Sequence, residues 1–441
     1  MRVSPLPPGP KGHFLVGALP EIRRDELDYL MRLVREHGDV VYLRVVNHPV
    51  YILSHPRDIE TVLLTKSSNF IKSVFLRESK ALFGNGLLTS EGSLWQRERR
   101  LLQPSFNHDH VLTYTRYMVE STEQMLAAWQ DGEERDVHQE MTRLTLEVMA
   151  KVLFGDEMTS DAEQTCDAFR AFFDQFDDRF GLYLIPEWLP TPENLRYRSA
   201  IKRLDKIVLR VIRQKRGDGR TNGDILSTLL RTGNGTGISE RQLRDEMMTL
   251  FFTGHETTAL ALAWTFYLLG QNPEPEQRLW AEVDRVLEGR TPTFEDLARL
   301  PFVEMVVKES LRLYPPAYGV VREALNDCEI GGYPIPKGAT LAMFQWAVHR
   351  DPRYFDRPEE FIPERWDKDF AKSLPRCAYF PFGAGPRLCI GNSFAQAELP
   401  LLLASIAQKF QLEPVPGHHV ATSASLTLRP LNGIRVTLRK R

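Results

Sequence analysis

Three short stretches hold the residues whose types and spacing could do chemistry. In the first, Phe382-Gly-Ala-Gly-Pro-Arg-Leu-Cys-Ile-Gly391, three glycines and a proline surround Cys389, and Arg387 stands two residues before it. A helix is expected to start directly after the loop, so backbone N–H groups and a helix N-terminus can stabilise a thiolate. A sulfur steadied by such a small-residue loop suits metal ligation. The alternative is a buried structural cysteine in a tight turn, which leaves Gly385, Arg387 and Gly391 around it without a purpose. The second stretch, Thr253-Gly-His-Glu-Thr-Thr258, is a polar patch inside the apolar run Met247–Gly270. It is not a H-E-x-x-H zinc motif, because position 259 is alanine. The third is Glu309-Ser-Leu-Arg312, an i,i+3 pair on one helix face. That spacing alone says little, since Glu21/Arg24, Glu140/Arg143, Glu193/Arg196 and Glu282/Arg285 share it as ordinary surface pairs.

The elements that must position these residues follow from the pattern around them. Met247–Gly270 is long enough to score as a membrane span, but ionisable residues at mid-bilayer cost about 2.5–3.5 kcal/mol each. The chain also runs N-terminally into charged sequence, with Ser239 and Gln242 placed as a capping box. From Ser239 to Asn272 a helix would extend about 50 Å, and we read it as the buried central helix of a globular domain. Asp39–Leu53 reads as a hairpin divided at Asn47–Pro49, and helical periodicity dominates from Ser93 to Phe154, with helices expected over Val111–Trp129 and Glu140–Phe154. The phenylalanine-rich segment Ala168–Leu189 is either core or a lid over an apolar pocket. Gly217–Gly223 and Gly233–Gly237 read as surface loops. Further on come short strands (Cys328–Ile335, Thr340–Phe344), a proline-punctuated coil (Asp351–Trp366), a helix over Asn392–Phe410 and a hairpin near Leu426–Leu438. With no repeat, heptad or linker, residues 1–441 are expected to form a single large domain, mainly α with minor β sheets.

Composition sets the outer limits. Hydrophobic residues at 42% and charged residues at 26% of 441 match an ordinary folded protein. The 56 lysines and arginines against 58 acids give a net charge of −2, which supplies no global field for nucleic acid or anionic lipid. Cys166, Cys328, Cys377 and Cys389 form no C-x-x-C pair, so neither a disulfide framework nor a four-thiolate zinc site is expected. The start of the chain is proline-rich (Pro5, Pro7, Pro8, Pro10) and shows no signal peptide or transmembrane anchor, so a cytoplasmic location is expected.

The first stretch resembles the signature F-x-x-G-x-R-x-C-x-G of the cytochrome P-450 (heme-thiolate) family at Phe382, Gly385, Arg387, Cys389 and Gly391. Other family segments follow in order. Glu309 and Arg312 match its E-x-x-R, Pro363-Glu-Arg-Trp366 its P-E-R-[FW], and Pro7-Pro-Gly-Pro10 the proline-rich hinge of microsomal members, without the anchor. The resemblance implies the cytochrome P-450 fold, a single domain with a long central helix over heme b. Cys389 would be the iron ligand. Trp95, Arg99, Arg322, Phe382, Gly383, Arg387, Gly391 and Gly254 would surround the cofactor, with Lys72 a weaker propionate candidate. Arg365 would complete a structural charged triad with Glu309 and Arg312.

On the same basis Glu256 and Thr257 are the acid–alcohol pair that manages protons for O–O cleavage, and Gly254 lets the helix bend. Thr253 departs from the family's usual alanine or glycine. Leu88, Thr253, Ala317 and Leu426 are implied substrate neighbours, and their mostly apolar character suits a fatty acid, terpenoid or other lipid-like molecule, as in the family's lipid-hydroxylase branch. The implied activity is a monooxygenase that inserts one oxygen atom of O2 into a hydrophobic small molecule. No G-x-G-x-x-G fingerprint is present. Electrons are therefore expected from an external ferredoxin or flavodoxin with its reductase, docking near Arg97 and Arg100. A peroxide-driven hydroxylase and a non-catalytic heme-binding sensor are the alternatives.

Overall fold

Helical and strand periodicities alternate along the chain, and the helices form where apolar residues recur at i, i+3 and i+4. The computed structural model describes residues 6–155, 189–218, 223–233 and 238–441. Apart from Leu189, the Ala168–Leu189 segment lies outside the described residues, as do Cys166 and parts of both glycine-rich loops. The principal helices are α1 (Glu26–His37), α2 (Gly92–Leu102), α3 (His108–Ala127), α4 (Val137–Phe154), α5 (Pro192–Asp218), α6 (Ile225–Gly233), α7 (Glu240–Gln271), α8 (Pro273–Leu287), α9 (Pro301–Leu313) and α10 (Asn392–Lys409). The strands are β1 (Val40–Val45), β2 (His48–Leu53), β3 (Phe70–Lys72), β4 (Glu134–Asp136), β5 (Val320–Ala324), β6 (Cys328–Ile330), β7 (Tyr333–Ile335), β8 (Thr340–Met343), β9 (Phe410–Pro414), β10 (Thr422–Ala424), β11 (Leu428–Pro430) and β12 (Arg435–Lys440).

The described residues fall into two compact units, one running to Arg77 and resuming over Lys308–Cys389, the other over Glu78–Val307 and Ile390–Arg441. The first is built on a five-stranded sheet in the order β1-β2-β8-β5-β3. All pairs are antiparallel except β2 with β8. One face buries Tyr51, Leu53, Phe70, Leu341 and Met343, and the other packs Val41, Leu43 and Ile52 on Leu30 and Leu33 of α1. This alternation is the period of two that a two-sided sheet imposes. The β1–β2 hairpin turns at Val46, which adopts φ 54.

The second unit is organised around α7, which packs along α4 and also touches α10, while α10 lies on α3. A Cβ on Gly254 would stand 2.7 Å from Cε of Met149, so glycine there permits the close approach of α4 and α7. Ser239 caps α7 by accepting from Gln242 N, but the Gln242 side chain donates to Asn85 O and Glu246. The expected capping box is therefore half formed, because the Gln242 amide is turned toward Asn85 O and Glu246 and not back to Ser239 N. The expected hairpin near Leu426–Leu438 is also corrected. β10 and β11 pair with each other, whereas β12 joins β9 and β4 in a separate sheet. No described helix is long and apolar enough to cross a membrane.

Candidate active site

In the first unit the Phe382–Cys389 loop is held by its own backbone. Cys389 N donates to Phe382 O at 2.9 Å, Gly383 N to Phe380 O and Leu388 N to Gly385 O. Gly383 and Gly385 adopt φ 72 and 71, and a Cβ on Gly385 would lie 2.0 Å from Leu63 O. Only glycine fits that approach. Cys389 is exposed, and no residue from Pro381 through Cys389 is buried, apolar Phe382 and Leu388 included. By contrast, Cys377 is buried and its thiol is pushed up to about 11 by desolvation. The exposed thiol and the unburied apolar residues beside it leave the loop accessible to a metal-bearing ligand.

The same unit places cations suited to an anionic edge. Lys72 and Arg322 face each other across β3 and β5, and both are buried. Two buried cations at one register position suit an anion such as a heme propionate. Arg322 Nη1 donates to Val321 O at 3.1 Å, and the adjacent Glu323 is engaged by Arg77. Arg387 occupies the 3-10 turn at Gly385–Arg387. Ala317, between α9 and β5, is exposed.

Glu309, fully buried at the end of α9, accepts from five donors. These are Arg312 Nε and Nη2 at 2.9 and 2.8 Å, Arg365 Nε at 2.9 Å, Ile362 N at 3.0 Å and Trp366 Nε1 at 2.8 Å. Arg312 also donates to the carbonyls of His349, Pro358 and Glu360. The charged cluster thus ties α9 to the coil through Trp366, and its burial is tolerable because each charge is paired and hydrogen-bonded. Trp366, not singled out from the sequence as a charge partner, is part of it.

In the second unit α7 opens at one place. Every residue from Leu243 to Phe266 is buried except Thr253, Gly254 and Thr257. Thr253 and Thr257 share a helix face and form a window about one turn long, while Gly254 packs against Met149 of α4. Thr249, Thr253 and Thr257 make a hydroxyl ladder along that face. Each hydroxyl donates to the carbonyl four residues earlier: Asp245 O at 2.8 Å, Thr249 O at 2.8 Å and Thr253 O at 2.7 Å. His255 points elsewhere, its Nδ1 on Phe251 O at 2.8 Å, and burial holds its pKa down to about 4, so the ring is neutral. Among the described residues no group of three or more histidines, cysteines or acids is placed to hold a metal ion.

Glu256 lies beside the window but is engaged by the β10–β11 hairpin. Its Oε1 accepts from Arg429 Nε at 2.7 Å and lies 3.4 Å from the Thr427 hydroxyl. Burial pushes its pKa up to about 7, against the Thr427 hydrogen bond. Trp264 Nε1 donates to Leu428 O at 2.9 Å, so the turn carrying Leu426 is fastened to α7 at two points. The loop carrying Leu88 is fastened further along. Asp245 Oδ2 accepts from Asn85 N, Glu246 Oε2 accepts from Leu87 N, and a Cβ on Gly86 would stand 2.3 Å from Thr249 Oγ1. Trp95 and Arg99 sit on α2, with Arg99 Nε on Gln103 Oε1 at 2.9 Å, and Gly391 caps α10. Sequence reasoning missed Arg429, Thr249 and Glu398. A threonine recurring every fourth position was the available signal for Thr249, whereas Arg429 and Glu398 had none.

Comparisons with known proteins agree with this geometry. The family model described as Cytochrome P-450 matches residues 7–437. The cyclooctat-9-en-7-ol 5-monooxygenase of Streptomyces melanosporofaciens is 39% identical over 410 residues, covering 91% of this chain and 88% of that protein. The pentalenene oxygenase of Streptomyces avermitilis is 32% identical, with 97% and 96% covered. Among solved structures, the cytochrome P450DA heme domain superposes with a TM-score of 0.90 at 29% identity, covering 100% of this chain and 99% of that one. A thiol loop left open at Cys389, a buried acid with its E-x-x-R arginine, and a hydroxyl window on the central helix therefore have one shared explanation: the chain belongs to the cytochrome P-450 family, and it is a heme-dependent, oxygen-inserting oxidoreductase that draws electrons from a redox partner and acts on a hydrophobic substrate.

Proposed function

We propose that the chain works as one catalytic domain, residues 1–441, that binds heme b through Cys389 and hydroxylates or epoxidises a cyclic terpenoid in the cytoplasm. The observation that carries this reading is the exposed Cys389 at the end of an unburied apolar loop in which Gly385 admits no side chain. When bound, the heme supplies the oxygen-activating chemistry. The chain's own part is to hold that group and to shape its surroundings. Lys72, Arg322, Arg99, Trp95 and Arg387 would hold its propionates, and Phe382, Gly383 and Gly391 would form the thiolate loop. The Thr257 hydroxyl, oriented by Thr253 O, accepts a hydrogen bond on the open side of α7. Leu88, Thr253, Ala317 and Leu426 contact the substrate. The terpenoid assignment rests on two relatives whose names specify cyclooctat-9-en-7-ol and pentalenene. Electrons come from a small ferredoxin or flavodoxin with its reductase, docking beside the exposed Arg97 and Arg100.

The test is the absorption spectrum of the dithionite-reduced protein with and without carbon monoxide, for wild type and Cys389→Ser. A Soret band at the long-wavelength thiolate–iron–CO position, absent from the variant, is expected. A band at the histidine- or thiol-ligated position in the wild type overturns the reading.

A further inference from the structure

The geometry points to a substrate that already carries a hydroxyl group, received by Thr253. The inference rests on the function proposed above and narrows its substrate from a terpenoid in general to a terpenoid alcohol.

Around the α7 window the helix is buried and Gly254 packs against Met149 of α4, so a ligand meeting α7 there meets Thr253 and Thr257. Gly254 contributes no side chain. Each threonine hydroxyl has one proton and two lone pairs, and both protons are already directed at carbonyls, Thr253 at Thr249 O and Thr257 at Thr253 O. Toward the open side the window therefore presents acceptors only. Of the two, Thr257 stands beside Glu256 in the pair assigned to proton handling, which leaves Thr253 for the ligand. A bare hydrocarbon laid on Thr253 would cover a hydroxyl oxygen without giving it a donor, and covering a polar group without a partner is unfavourable. An alcohol supplies the missing donor. An ether or ketone of the same skeleton does not, because it brings another acceptor against an acceptor.

The same direction of donation recurs along the helix. Thr249 repeats the pattern one turn earlier, with its proton on Asp245 O, and Gly86 lies directly against its hydroxyl. The face is thus set as a row of oxygens with their protons turned back along the helix. A site built to pair with a substrate hydroxyl discriminates strongly against the analogue that lacks it, because its own polar group is left unpaired.

The experiment uses the heme-loaded full-length protein and ring-matched triplets. Each triplet is a cyclic terpene hydrocarbon, its monoalcohol and the methyl ether of that alcohol, titrated by spin-state shift and by calorimetry. Wild type is expected to bind at least one alcohol about 5–10-fold tighter than both its hydrocarbon and its ether, the effect of one well-made hydrogen bond. Thr253→Val, close in shape, abolishes that preference with the reduced carbon monoxide spectrum unchanged, and Thr253→Ser keeps it. A panel in which no alcohol outbinds its ether and hydrocarbon overturns the inference, as does a preference that survives in Thr253→Val. Failure of the carbon monoxide spectrum, by contrast, removes the proposed function itself, so the two failures are distinguishable.

Discussion

The Glu256 carboxylate and the Arg429 guanidinium, 173 positions apart in the chain, meet with Nε and Nη2 both 2.7 Å from the same oxygen. Glu256 is 3% exposed, so the pair is a buried one that fastens the β10–β11 hairpin to the central helix. Its weight lies less in net stability than in what happens when one partner is removed. The acid assigned to proton handling thus also positions the turn that carries Leu426.

Arg429→Ala is expected to destabilise the protein by about 3–5 kcal/mol, because it leaves a carboxylate buried without its cation. Adding Glu256→Gln to that variant should recover part of the loss, so the double variant falls short of the sum of the singles. Denaturant unfolding of the four proteins measures this directly. Strictly additive losses would show that the pair carries no coupling.

Glu398 on α10 predicts a pH dependence. It is fully buried, neither carboxyl oxygen has a hydrogen-bond donor among the described residues, and Thr258, which faces it, donates its proton to Gly254 O. Burial pushes its pKa up to about 8 from the ordinary 4.5. Between those values the folded state holds a proton that the unfolded state has lost, so stability falls as pH rises from about 4.5 to about 8 and levels off above. The slope per group reaches about 1.4 kcal/mol per pH unit. Glu398→Gln should remove one group's share and be more stable than wild type at pH 8, with the gain vanishing near pH 4. Urea unfolding across that range checks it, and a constant difference between the two proteins would contradict it.

Gly385→Ala tests the thiol loop. With φ 71 and Leu63 O 2.0 Å from the new Cβ, the loop must move away from the π-helical turn at Thr61–Thr65. The strain is on the order of 1–3 kcal/mol. The expected outcome is a folded protein with far less heme per chain, read from the Soret-to-protein absorbance ratio. Gly383→Ala shares the positive φ but has nothing within 4 Å of its Cβ, so it should lose less heme. Equal loss in both would place the defect in backbone conformation and not in the Leu63 approach.

Much of this site is local in sequence, and that part was legible. The Phe382–Gly391 loop, the Glu309–Arg312 pair and the polar patch on α7 declare themselves within ten residues, because loop geometry and helix faces are set by near neighbours. What could not be read was pairing across distance. Nothing near Glu256 announces Arg429, and nothing near Lys72 announces that β3 will place it opposite Arg322. The order β1-β2-β8-β5-β3 brings together strands separated by most of the chain, which hydrophobic alternation alone does not specify. The half-formed capping box at Ser239 shows the same limit, since Gln242 left a local partner for Glu246 and the carbonyl of Asn85.

Thr257 separates proton handling from binding. Its hydroxyl proton is held on Thr253 O at 2.7 Å, so its oxygen faces the window as an acceptor of fixed direction. Thr257→Val keeps the shape and the helix but removes that acceptor, and Thr257→Ser keeps the acceptor. The valine variant should bind substrate and carbon monoxide as wild type does while productive turnover falls on the order of 10²-fold, the usual contribution of a positioned proton-transfer group. Reductant consumption should fall much less, so that electrons are used without product. The serine variant should stay near wild type because the Thr253 carbonyl still orients its hydroxyl. Product formed per reductant consumed is the deciding measurement. Unchanged coupling in the valine variant would assign the proton path to another group in the window, and Thr253→Val, measured in the same assay, would identify it.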